Sequence, residues 1–75
     1  MIHYSNLNGN SGVYAYELGN DNIIVQFNSG AKYLYNYFIP GNFDVEYMKR
    51  LAVNGSGLNT YINTNVKKRY AAKLR

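Results

Sequence analysis

Few residues in this chain are equipped for covalent or acid–base chemistry, so each can be weighed singly. The only histidine is His3, and the absence of cysteine removes a thiolate nucleophile, a thiolate zinc site and a disulfide framework together. A general base needs a second group to orient it, and nothing close to His3 in sequence supplies one. Asp44 and Glu46 lie two apart, so on a helix they point in different directions. They suit the positive end of a helix better than a carboxylate pair or a metal site. Ser5, Ser11, Ser29 and Ser56 each sit among glycine or asparagine, and none is in a GxSxG elbow. Asn54-Gly55-Ser56-Gly57 lacks the lysine that completes a phosphate loop, and it reads as a turn rather than as a glycosylation site. The reading is therefore of a non-enzymatic protein with no catalytic residue, no metal site and no cofactor.

Charge is the second chemical resource, and it is segregated. The formal net charge of +4 averages two unlike stretches. Up to Glu46 there are four acids (Glu17, Asp21, Asp44, Glu46) against one base, Lys32, which gives −3; from Tyr47 onward there are seven bases and no acid, which gives +7. Lys67, Lys68, Arg69, Lys73 and Arg75 crowd the last nine residues. A basic end of this kind attracts phosphate in a salt-dependent way; the plainer alternative is a solvated C-terminus that keeps the chain soluble.

Tyrosine is the third resource. Nine tyrosines and twelve asparagines in 75 residues favour binding over catalysis. Aromatic rings on a sheet beside basic residues can stack nucleobases, but tyrosine also fills cores when its hydroxyl finds a partner. Tyr33 and Tyr35 are expected in the core, whereas Tyr61 and Tyr70 lie nearer the basic end and are candidates for stacking.

The elements that must position these groups follow from the loops. Val13–Leu18, Ile23–Phe27 and Ala31–Phe38 read as strands, separated by turns at Gly19–Asn22 and Asn28–Gly30. A three-residue hairpin loop places glycine at its left-handed position, as Gly30 allows, which pairs Phe27 with Ala31, Val25 with Tyr33 and Ile23 with Tyr35. The preceding turn pairs Leu18 with Ile23, Tyr16 with Val25 and Tyr14 with Phe27, putting the same set on one face. Val13, Ile24 and Leu34 then fall on the opposite, mixed face, which could serve self-association as a homodimer. After Pro40, Asn42 can cap a helix running to about Val53 whose inward stripe is Phe43, Tyr47 and Leu51, with Met48 and Ala52 beside it. A second short helix is expected over Leu58–Asn65, with Leu58, Tyr61 and Ile62 inward; residues 66–75 could extend it or form a short final strand.

The fold class is thus α+β: a three-stranded antiparallel β-meander followed by one or two helices packed on one sheet face, with a possible short C-terminal strand. A chain of 75 residues makes one small domain with a thin core, here about 11–70, with residues 1–10 and 71–75 loosely ordered. No apolar run approaches the roughly 20 residues of a membrane span, and no signal-like segment opens the chain, so a soluble cytoplasmic protein without a membrane partner is expected.

With these residues in place, the spacing resembles a known family. Tyr16, then Ile23-x-Val25-x-Phe27-x-x-Gly30-x-x-Tyr33-x-Tyr35, then Pro40, is similar to the KTSC domain. This is the C-terminal domain of some lysyl-tRNA synthetases, also found as stand-alone bacterial and phage proteins. The second half follows with Gly57 and Tyr61-Ile62-Asn63-x-x-Val66-x-x-x-Tyr70, so the resemblance spans roughly residues 5–74. The chain departs from the family pattern by one extra residue between Tyr35 and Pro40, and by Ala71-Ala72 where the family carries Pro-Tyr. The resemblance implies a meander followed by a helix, a bacterial-cell setting and RNA as a ligand class.

Two functions follow as expectations. The first is a binding module for a phosphate-bearing ligand, RNA or a small signalling nucleotide. Lys67, Lys68, Arg69 and Lys73 would supply charge, Tyr61 and Tyr70 would stack, and Asn59, Asn63 and Asn65 would hydrogen-bond. The second is a protein-interaction module, for example a small phage-encoded inhibitor of a host (defence) protein, using the adaptable mix of tyrosine and asparagine common on recognition surfaces.

Overall fold

The computed structural model describes residues 1–7, 9 and 12–75; Asn8, Asn10 and Ser11, the last among the serines weighed above, lie outside the described residues. Five antiparallel strands stand side by side in chain order: β1 (Ile2–His3), β2 (Val13–Leu18), β3 (Asn22–Phe27), β4 (Lys32–Asn36) and β5 (Ala72–Lys73). Between β4 and β5 come α1 (Asn42–Asn54), α2 (Leu58–Tyr61) and a π-helical turn, Ile62–Val66. The α+β class, the meander and the short C-terminal strand are all present. No helix among the described residues is long and apolar enough to cross a membrane.

The hairpin loops set the register. Gly30 has φ 95°, a conformation open to glycine, and its N–H donates to the Phe27 carbonyl while the Phe27 N–H donates to Ala31, both at 2.9 Å. Val25 pairs with Tyr33 and Ile23 with Tyr35, and across the other turn Leu18 pairs with Ile23 and Tyr16 with Val25. One pair differs from expectation. A bulge between Val13 and Ala15 sets Val13, not Tyr14, opposite Phe27. An extra residue in one strand reverses which side chain faces inward. Val13 is accordingly buried in the core, while Tyr14 is exposed with its ring 5.0 Å from that of His3. Val13 therefore cannot belong to the expected self-association face; Ile24 and Leu34, which pair with each other, remain half-buried on the opposite side of the sheet.

The core gathers Ile23, Val25 and Tyr35 from the meander with Val45, Met48 and Ala52 from α1, which packs over β3 and β4. This corrects the expected helix face. Phe43 is 78% exposed and Tyr47 is exposed, whereas Val45, Met48 and Ala52, at i, i+3 and i+7, point inward. The two stripes are equally helical in spacing; the smaller, more pliable set lets the helix axis approach the sheet closely. The residue before the helix is Gly41 rather than Asn42, and its carbonyl accepts the Val45 N–H at 3.0 Å. At the other end Gly55, with φ 76°, caps through its N–H to Leu51 and Ala52, and a Cβ there would stand 2.7 Å from that of Ser5.

Both chain ends are better held than expected. β1 pairs with β2, and Tyr4 is buried with its hydroxyl accepting the Leu58 N–H at 3.3 Å. The Leu7 N–H donates to Gly55 at 2.8 Å. At the far end β5 pairs with β4, and the Leu74 N–H reaches the Lys32 carbonyl at 2.7 Å. Side-chain burial at Tyr4 and ladder hydrogen bonds at β5 supply the order that composition alone did not reveal.

Candidate phosphate-binding surface

The basic segment begins where the second helical region ends. Leu58, Ile62 and Val66 are buried, so α2 and the π-helical turn lie against the core by one apolar edge. The expected single helix over 58–65 is instead four α-helical residues followed by a wider turn, closed by the Lys67 N–H bonding to the Ile62 carbonyl. The extra residue in that ring carries Val66 inward. It also leaves Lys67 with φ 55°, a left-handed conformation rare for a lysine.

Asn63, Asn65, Lys67 and Lys68 are all exposed on this stretch, within six residues of one another. Arg69 is exposed as well, but its guanidinium turns back to the Asp44 carboxylate at 3.4 Å and to the Asn65 carbonyl. The Tyr61 hydroxyl donates to the other oxygen of Asp44, and its ring lies 4.7 Å from that of Tyr47. Loss of hydration first, and the hydrogen bond to Asp44 second, push the Tyr61 hydroxyl up to about 12. Asp44 thus joins α1 to the helical turn through two partners.

The remaining candidates lie elsewhere. Tyr70 packs its ring 4.6 Å from Tyr33 and 6.5 Å from Tyr35, against the core. Lys73 sits on β5, its ammonium 5.9 Å from the centre of the Tyr33 ring. Asn59 is on α2, its amide over Gly12. The nine residues do not converge on one cleft: Asn63, Asn65, Lys67 and Lys68 are exposed along one short stretch, Arg69 and Tyr61 are tied to Asp44, Asn59 lies over Gly12, and Tyr70 and Lys73 belong to the β4–β5 side. Three surface hollows among the described residues, of about 420, 450 and 370 Å³, are lined by other residues, with Arg75 in the second and Arg50 in the third. Among the described residues no three of His, Cys, Asp and Glu gather as a metal site.

Sequence reasoning placed Asp44 in the first turn of a helix, and it is there, but missed its bonds to Tyr61 and Arg69, 17 and 25 residues away. No local spacing encodes contacts at that range. Compared with known proteins, the chain matches no family model, no curated protein and no solved structure.

Proposed function

We propose that this chain is a non-enzymatic binding module for a phosphate-bearing ligand, with single-stranded RNA as the leading class. The observation that carries the reading is the stretch from Asn63 to Lys68, exposed except at the buried Val66, where two lysines follow two asparagines and Lys67 adopts an unusual backbone conformation. Ammonium groups neutralise phosphates and release counterions, while amide side chains hydrogen-bond sugar or base edges. A strained residue persists only where its surroundings hold it, and such positions cluster at ligand sites. An open surface suits a flexible polyanion better than a small nucleotide, which binds best in a concave site. The similarity to the KTSC domain, and the link of that family to a tRNA synthetase, favours the same ligand.

In this reading Arg69 and Tyr61 hold the turn to α1 through Asp44, and Lys67 and Lys68 meet the ligand. The test is a salt titration of binding to single-stranded RNA and to a panel of nucleotides. Affinity for RNA should fall with rising salt, and Lys67→Ala/Lys68→Ala should flatten the slope by about 1.4, at about 0.7 per phosphate contact on a single strand. Binding without a salt slope, or an unchanged slope in the double variant, would count against the proposal; tighter binding of a mononucleotide than of RNA would redirect it to a small ligand.

A further inference from the structure

Phe43 is held out on α1 by the geometry of the helix. At about 100° per residue it falls opposite Ala52, which is buried against the sheet, and within about 20° of the exposed Arg50. Tyr47, one turn on from Phe43, is exposed as well, its ring 4.7 Å from that of Tyr61. Asn42, Phe43, Glu46, Tyr47 and Arg50 line one open hollow of about 370 Å³. A single exposed apolar ring is ordinary on a protein surface. Two aromatic rings one helical turn apart, with a guanidinium lining the same hollow, make an apolar floor beside a positive charge.

That charge is uncompensated. α1 carries two acids, and each is matched by a base: Glu46 by Lys49 at 2.9 Å, with the Tyr37 hydroxyl donating to the same oxygen at 2.7 Å, and Asp44 by Arg69 at 3.4 Å. The Arg50 guanidinium has no ion pair or hydrogen bond among the described residues. Rings with one unmatched cation complement a nucleobase joined to its phosphate. The hollow also adjoins the lysine stretch. Tyr61 and Arg69 both bond Asp44, the residue after Phe43, and Arg69 also donates to the Asn65 carbonyl, two residues before Lys67.

We propose that Phe43 and Tyr47 form the base-stacking floor of the single-stranded RNA site, with Arg50 on the phosphate of the stacked nucleotide. The inference rests on the RNA reading above. It gives that reading the aromatic partners that Tyr61, tied to Asp44, and Tyr70, packed on Tyr33, do not supply. Every base has a π-face, so stacking here adds affinity without selecting a sequence.

The test is binding of the intact chain to an end-labelled single-stranded RNA of mixed sequence, beside an abasic strand with the same number of phosphates. Phe43→Leu keeps apolar bulk but loses the ring. It should weaken RNA binding about 5- to 150-fold, the loss of one stacked base, and leave the salt slope and the affinity for the abasic strand unchanged. Phe43→Trp should bind RNA at least as tightly as wild type, and Arg50→Ala should flatten the salt slope by about 0.7. Circular dichroism and the unfolding midpoint establish that each variant folds. A Phe43→Leu protein that binds RNA like wild type, or that loses as much affinity for the abasic strand, overturns the inference. The RNA reading itself still stands in that case if Lys67→Ala/Lys68→Ala flattens the slope. An unchanged slope in Arg50→Ala removes Arg50 from the phosphate, and a wild type that binds no RNA overturns both readings. If the chain alone self-associates in sedimentation and Phe43→Leu makes it monomeric, a second copy covers this face and the inference is likewise overturned.

Discussion

In the meander, Ile23, Val25 and Tyr35 are buried and their neighbours are set by strand register; from Leu58 to Tyr70, a shorter apolar edge is joined by a polar tie in which Tyr61 and Arg69 both reach Asp44. Register is redundant, because every pair in β2–β3–β4 enforces the next. The tie is not: it converges on one carboxylate. The region that presents the lysines is therefore the one with fewer independent supports, a common feature of surfaces that meet ligands.

The largest test of that contrast is Ile23→Ala. Ile23 is fully buried at the centre of the sheet, and its truncation should cost about 2–5 kcal/mol in urea unfolding. A loss below about 1 kcal/mol would mean that the meander is no better supported than the helical turn. Asp44→Ala should cost less, about 1–2 kcal/mol, because Arg69 is half exposed and water replaces part of what is lost. The same substitution should raise amide exchange across 61–69 while leaving β3 protected, and uniform exchange would dissolve the distinction between the two regions.

Titration separates them further. Burial first, then the nearby Tyr33 and Tyr70, push the Tyr35 hydroxyl up to about 12, and Tyr61 stands equally high. A phenol whose folded pKa lies above its ordinary value of about 10 is favoured neutral in the fold. Its stabilising contribution is full below pH about 10 and fades as pH climbs through about 12. Ultraviolet titration should find two tyrosinates forming only near pH 12, and Asp44→Ala should bring Tyr61 down while leaving Tyr35 in place. The smallest expected effect is at Phe43. Although it begins the longer apolar stripe of α1, its exposure predicts a change within about 0.5 kcal/mol for Phe43→Ala, and a larger loss would restore the stripe that the sequence suggested.

What could be read from sequence followed the same division. Gly30 and the turn before Ile23 announced the pairing of three strands, because hairpin geometry leaves few choices. The bulge beside Tyr14 was hidden, since Val13-Tyr14-Ala15-Tyr16 offers an apolar residue inward in either register. The rotation of α1 was hidden for a similar reason: two apolar stripes share one helix, and only the depth of the sheet beneath decides between them. Tyr4 lay in a run of Asn, Ser and Gly, and its partner Leu58 is 54 residues away. At the candidate site the bases could be counted but not sorted, because the carboxylate that occupies Arg69 comes from another element. The third strand was expected to reach Phe38 but ends at Asn36, because the Asn36 side chain accepts the N–H groups of Phe38 and Ile39 and turns the chain there, a bond that strand patterning does not encode.

The outermost strands, β1 and β5, carry two residues each. An unpaired strand edge is a template on which a foreign chain can extend the ladder, and its hazard grows with length. Here such a guest would find room for only a few hydrogen bonds before the backbone turns away, too few to hold a stray strand or to seed a fibril. Each outermost strand therefore offers a foreign chain little ladder to extend.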